Sequence, residues 1–187
     1  YANHITIEEL LLAAFSLTIG TMLNTDRLPV ELEGNGRNSI TELSESIYRT
    51  IGWFTCLYPV ILNIIPDNLT EYLKQVKKQL KAVPRHGLGY GILRDAEESN
   101  RLAENMVRFN YLGEFTQNFR GFHMIPQYSL MNFSPDAFSC LLELNCVLAE
   151  DRFLFSVRYH KECLIGKDIS VLPSLLEENI QKLVRLL

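Results

Sequence analysis

Between Leu142 and Tyr159 apolar side chains fall on every second position: Leu142, Leu144, Cys146 and Leu148, then, past Glu150-Asp151, Phe153, Phe155, Val157 and Tyr159. A period of two belongs to the β-strand, whose successive side chains point to opposite faces; a helix would scatter the same set around its axis. With the acidic pair as the bend, the stretch predicts an antiparallel hairpin with one buried face. A sheet with a buried face needs a second layer to cover it.

Helical spacing elsewhere supplies that layer. Thr6-Ile7-Glu8-Glu9 has the form of a capping box, and Ile7, Leu10, Leu11, Ala14 and Phe15 follow on one face of an amphipathic helix. After Asp67-Asn68, Leu69, Leu73, Val76, Leu80 and Val83 make a second stripe, with Lys77, Lys78 and Lys81 toward its C-terminal end and Pro84 as its stop. Pro173 opens a third, carrying Leu175, Leu176, Ile180, Leu183, Val184 and Leu187.

Further strands are predicted upstream. Val30 and Leu32 alternate with acids up to Asn35-Gly36, a dipeptide suited to a tight hairpin turn, and Val107, Phe109 and Tyr111 alternate up to Gly113. Ile51 to Ile65, broken by Gly52 and Pro59 and closed by Pro66, reads as a loop leading into a strand. Helices and strands mix along all 187 residues with no repeat or linker, so one α/β layer structure with a largely antiparallel or mixed sheet is expected. A chain of this length buries roughly 70% of the surface its unfolded form exposes, enough for a sizeable core.

Charge and composition exclude several functions. The net charge is -4 and the longest basic run is Lys77-Lys78, so the footprint that a phosphate backbone demands is missing and nucleic acid is not expected as a partner. The longest apolar run, Leu10 to Phe15, is far short of the roughly 20 residues that span a bilayer, so the expectation is a cytoplasmic protein without a membrane partner. Cys56, Cys140, Cys146 and Cys163 lack CxxC spacing and sit among apolar neighbours, which reads as reduced core thiols. His4, His86, His123 and His160 are scattered, so no metal site is expected. The start at Tyr1 rather than Met suggests a piece of something longer.

Three stretches hold candidate chemistry. Glu33, just before the Asn-Gly turn, is either a polar turn flank or a carboxylate aimed by a strand end, where desolvation tunes it as a general base. In "PRHGLGYG" the glycines follow GxGxG after a helix rather than GxGxxG after a strand, so Gly87, Gly89 and Gly91 read as conformational freedom for a tight loop, not a phosphate cradle. "RTIGWFTCLYP" gathers Trp53, Phe54 and Tyr58 around a glycine as a core wall or an apolar channel.

These strings, in this order, resemble the signatures of epimerization domains of nonribosomal peptide synthetases, members of the condensation-domain superfamily. "EGNGRN" is similar to the family's EGHGRE, "RTIGWFTCLYPV" to RTVGWFT-x-x-YPV, "PRHGLGYGILR" to PxxGxGYG-x-LR and "FNYLGEF" to FNYLGQF; "TIEELLLAAF" resembles the segment leading into the C-terminal lobe. The resemblance implies a chloramphenicol-acetyltransferase-like lobe with a mixed, mainly antiparallel sheet packed with helices. It also implies a tunnel between two lobes, which receives an aminoacyl or peptidyl thioester on the phosphopantetheine arm of a peptidyl carrier domain. The lobe itself would bind no cofactor. Inversion of the α-carbon from L to D, an isomerase step in antibiotic and other secondary metabolism, would use a histidine of HHxxxDG and the glutamate of EGHGRE. By that resemblance the glutamate is Glu33, and the NYLG tyrosine is Tyr111, expected at the site either as a donor toward the developing oxyanion or as a group that positions the substrate.

HHxxxDG occurs nowhere in the sequence. The resemblance therefore implies that residues 1–187 form the C-terminal lobe only, inactive alone, with the N-terminal lobe carrying HHxxxDG as its partner. Asn35 stands where the family has histidine, Asn38 where it has a second glutamate and Ser46 where aspartate is common. Two alternatives stay open: the lobe of a condensation domain that forms amide bonds, and a degenerate, non-catalytic module that docks carriers.

Overall fold

Thr6 caps the first helix, α1 (Ile7–Leu23), reciprocally: its hydroxyl accepts from the Glu9 amide (3.1 Å), and the Glu9 carboxylate accepts from the Thr6 amide (2.8 Å). The computed structural model that shows this describes residues 5–39, 47, 49–91, 93, 106–115, 140–149, 151–164 and 166–187. Among the sequence expectations, His4, Ser46, Ile92, Arg94, His123 and Glu150 lie outside the described residues, as do the side chains of Asn38 and Cys163.

The helix is not amphipathic as expected; every residue from Glu9 to Gly20 is buried. It packs on α2 (Leu69–Ala82) and α3 (Leu172–Val184) as well as on the sheet, so no side of its middle turns reaches solvent. Its polar residues are satisfied internally: Ser16 Oγ donates to the Leu12 carbonyl and lies 2.5 Å from the Tyr72 hydroxyl. Thr18 accepts from the Asn179 amide at 3.0 Å. Of the other two helices, α2 keeps its predicted limits, with Asn68 accepting from the Glu71 amide as its cap; α3 has Pro173 in its first turn but ends at Val184, so Leu187, expected on its stripe, lies beyond it. No helix among the described residues is long and apolar enough to cross a membrane.

Among the described residues five strands form one sheet in the order β2-β1-β3-β4-β5: β1 (Arg27–Asn35), β2 (Thr55–Asn63), β3 (Val107–Phe115), β4 (Leu142–Ala149) and β5 (Arg152–Tyr159). The antiparallel pairs β1/β2 and β4/β5 share nine and eight rungs; the parallel pairs β1/β3 and β3/β4 share three and seven. The sheet is thus mixed and mainly antiparallel. Leu28, Val30, Leu32, Leu62, Val107, Phe109, Leu142 and Leu144 face the helices, and the Phe15 and Phe109 rings meet at 5.7 Å in the core. Burial of each such side chain contributes roughly 1.5–3 kcal/mol.

Three local expectations need correction. Asn35-Gly36 makes no tight hairpin: a 3-10 turn (Gly36–Ser39) follows, and the partner strand begins only at Thr55. Gly36 is needed for closeness instead, because a Cβ there would collide with the Phe54 carbonyl that accepts its N–H at 2.8 Å. β3 does not end at Gly113; the strand bulges between Tyr111 and Glu114, with Gly113 at φ 86, and continues to Phe115. The β4–β5 hairpin turns through Asp151 (φ 61), but β4 is buried on both faces from Leu142 to Cys146, whereas the edge strand β5 is mostly exposed or half-buried. Burial holds the Cys140 and Cys146 thiols protonated, pushed up to about 11 and about 12. On the other edge Pro59 brings no donor and the Ile61 carbonyl accepts from the Gln79 amide (2.8 Å), which blunts the strand against further pairing.

Candidate functional site

The ladder between the parallel strands β1 and β3 stops at Leu32 opposite Phe109, yet both strands run on. Where they part lies a cleft of about 330 Å3, walled by Glu33 to Asn35 on one side and Asn110 to Leu112 on the other, with Trp53 and Phe54 at its mouth. The crevice beyond the carboxyl ends of neighbouring parallel strands is the usual ligand position in open sheets with helices. A larger cavity, about 580 Å3, lies between β2, the end of α2 and the stretch from Pro84 to Tyr90; it is mostly apolar, and among the described residues no carboxylate, thiol or imidazole lines it. Acid–base chemistry therefore points to the smaller one.

Three sequence motifs meet behind Glu33. Strand alternation puts Glu33 on the face away from the helices and Gly34 toward them. A Cβ on Gly34 would come 2.5 Å from the His86 carbonyl oxygen and 2.9 Å from Cys56 Sγ, so only glycine lets the turn at Pro84–Gly87 press against β1. That turn is possible because Arg85, His86 and Gly87 are all left-handed (φ 46, 49 and 83); Gly87 lies against the Tyr58 ring. The freedom expected of the three glycines is used at Gly87 alone, since Gly89 and Gly91 have neither a positive φ nor a neighbour a Cβ would meet.

Arg37 ties the mouth together. Its guanidinium donates to the carbonyls of Ile47, Thr50 (2.8 Å) and Gly52 (3.3 Å) and lies 4.0 Å over the Phe54 ring. Its amide donates to Asn35 Oδ1 (3.0 Å), so Asn35 stabilises the turn. Trp53, expected in a core wall or an apolar channel, instead stands 87% exposed beside the opening.

Glu33 is half-buried, not turned into bulk water. Burial raises its carboxyl above the ordinary value; Arg108 opposes that, while Glu143 and Glu31 add to it. Tyr111 lines the same cleft, but its register partner is Cys146 and it packs against the core, on the face opposite to Glu33; burial raises its phenol as well. Asn110, which the motif reading passed over, shares Glu33's face and also lines the cleft. The signal was present: in a strand whose Val107 and Phe109 point inward, Tyr111 joins them and Asn110 does not. A half-buried carboxyl whose pKa is raised by burial, with an amide across a narrow cleft, is suited to taking and returning a proton. Among the described residues no group of three His, Cys, Asp or Glu is placed to hold a metal ion.

A family model described as the condensation domain matches residues 1–186. The chain is 33% identical over 171 residues to tyrocidine synthase 2 of Brevibacillus parabrevis, an alignment covering 86% of this chain and 5% of that protein. Among solved structures it resembles the epimerization domain from the third module of tyrocidine synthetase B, with a TM-score of 0.76 and 28% identity over 97% of this chain and 42% of that one. It also shares its fold with the condensation domain of the monacolin K polyketide synthase (TM-score 0.62, 15% identity, 95% of this chain and 40% of that one). The chain thus spans less than half of each structure and a small fraction of the tyrocidine synthase.

Proposed function

The chain belongs to the condensation-domain family, and from that premise we propose that it is the C-terminal lobe of an epimerization domain in a nonribosomal peptide synthetase. The observation that carries this reading is the position of Glu33: a half-buried carboxyl, its pKa raised by burial, in a cleft where two parallel strands separate. The epimerization branch is supported by the EGNGR, GWFT and FNYLG strings and by the higher identity with the epimerization-domain structure than with the condensation-domain one.

In this reading a carrier domain presents an aminoacyl or peptidyl thioester on its phosphopantetheine arm at the cleft. One acid–base group removes the α-proton; the electron pair of the broken C–H bond moves into the thioester carbonyl, giving a planar enolate. A second group delivers a proton to the opposite face, and the pair returns to carbon with inverted configuration. Glu33 is one of the two groups, and a histidine of HHxxxDG in an N-terminal lobe is the other. Asn110 stands on Glu33's face as a donor toward the developing oxyanion, and Tyr111 supports the wall from behind.

In the full-length protein, Glu33→Gln should abolish or strongly bias L-to-D conversion of the carrier-bound thioester, read by chiral analysis of the released amino acid. Unchanged conversion in both directions would sink the assignment. Amide-bond formation is the second reading, favoured by the family that matches; it predicts a dipeptidyl product from donor and acceptor carriers. Carrier binding without α-proton exchange in deuterated buffer would instead indicate a docking module.

A further inference from the structure

Four adjacent strands carry charges of alternating sign on one row: Glu31 on β1, Arg108 on β3, Glu143 on β4 and Arg158 on β5 are successive register partners. The two acids are 4% and 5% exposed. Arg108 donates through Nε (2.7 Å) and Nη2 to one oxygen of Glu31. Arg158 does the same for Glu143 (Nε, 2.9 Å), whose other oxygen accepts from Asn145 (3.2 Å). Each buried acid thus has its own arginine.

Glu33 lies two residues beyond Glu31 on the same face, and among the described residues no cation is within ion-pair distance of it. The groups around it can be named from every side. Its own strand and the turn after it bring Glu31 and Arg37; β3 brings Arg108 and Tyr111; β4 brings Glu143; β2 places the uncharged Leu57 opposite. Arg37 is committed to three carbonyls and the Phe54 ring. That leaves Arg108 as the described cation that acts on Glu33.

We propose that Arg108 is a positioning residue for the reaction: held by Glu31, it is the counter-charge against which Glu33 takes up and gives back its proton. The inference rests on the proton-transfer reading of Glu33. Arg108 opposes the effect of burial on that carboxyl, and Glu31 acts in the other direction. An ion pair out of electrostatic reach of the carboxyl would affect the sheet's stability and leave Glu33's titration alone.

The test is a pH titration of side-chain carboxyls by 13C NMR in the full-length protein, with the Glu33 signal assigned by its loss in Glu33→Gln, alongside the pH profile of α-deuterium exchange. Arg108→Gln should move the Glu33 titration, and the acid limb of the exchange profile, up by about one pH unit. Glu31→Gln should move both down. No movement, or movement in the same direction for both variants, overturns the proposal. Arg108→Gln leaves Glu31 buried without its partner, which endangers folding. The double variant Glu31→Gln/Arg108→Gln removes the pair together, and a smaller upward shift is expected because the arginine outweighs Glu31; an unshifted titration there also overturns the proposal. The NMR arm reads protonation without turnover, so the two readings fail separately. Exchange lost in Glu33→Gln with an unmoved titration in Arg108→Gln removes this inference alone. Exchange retained in Glu33→Gln removes the catalytic reading and, with it, Arg108's part in the reaction.

Discussion

Burial is the leading reason that the Glu33 carboxyl stands above its ordinary 4.5, and Arg108 offsets it only in part. The folded protein therefore binds this proton more tightly than the unfolded chain does. The group's contribution to stability is fully present below pH 4.5 and is lost as the pH rises through the raised native value. Glu33→Gln should accordingly melt at a higher temperature than the wild type at pH 7, and the gap should close as the pH falls below about 4.5. A gap independent of pH across a series of melting curves would contradict this. Glu33 could be read from the motif in which it sits. Its partners could not, because Glu31 and Arg108 are 77 positions apart and become neighbours only when β1 meets β3. Tyr111, singled out by its motif, lines the same cleft as Glu33, while its face was set by the strand's period of two.

At the scale of single elements, helix ends were readable because caps are local. Thr6 and Glu9 satisfy each other's amides three residues apart, with no help from the rest of the fold. Thr6→Ala should destabilise the protein by about 1 kcal/mol in urea unfolding, with Thr6→Ser close to wild type; equal losses for both would point away from the cap. Burial was not readable in the same way. The apolar spacing in α1 suggested one buried face, but Ser16 and Thr18, polar in the sequence, are also enclosed and hydrogen-bonded to Tyr72 and Asn179 from two other helices. Asn35-Gly36 misled for a related reason: the dipeptide suits a tight turn, but the Phe54 carbonyl and the Arg37 side chain organise a wide connection around it.

In the molecule as a whole, the class was readable from alternating periods, whereas the strand order was not. Antiparallel neighbours such as β4 and β5 declare themselves by a bend between two alternating runs; parallel neighbours leave no such mark, and both central pairings here are parallel. The order makes a prediction for hydrogen exchange. Amides of α1 between Leu10 and Ile19, with those of β3 and β4, should exchange slowest, and those of the edge strand β5 should be markedly faster, since local opening is easiest where contacts are few. Uniform protection across the sheet would argue against this layering.

One consequence follows from the short seam at the centre. Three rungs join β1 to β3, two strands of nine residues each, and past Leu32 and Phe109 each tip is steadied by its outer neighbour. The gap is thus compliant sideways and stiff lengthwise: widening it flexes two strand tips, while sliding one wall along the other would break the rungs. Guests of different girth would be tolerated by that give, and guests of the wrong length would not.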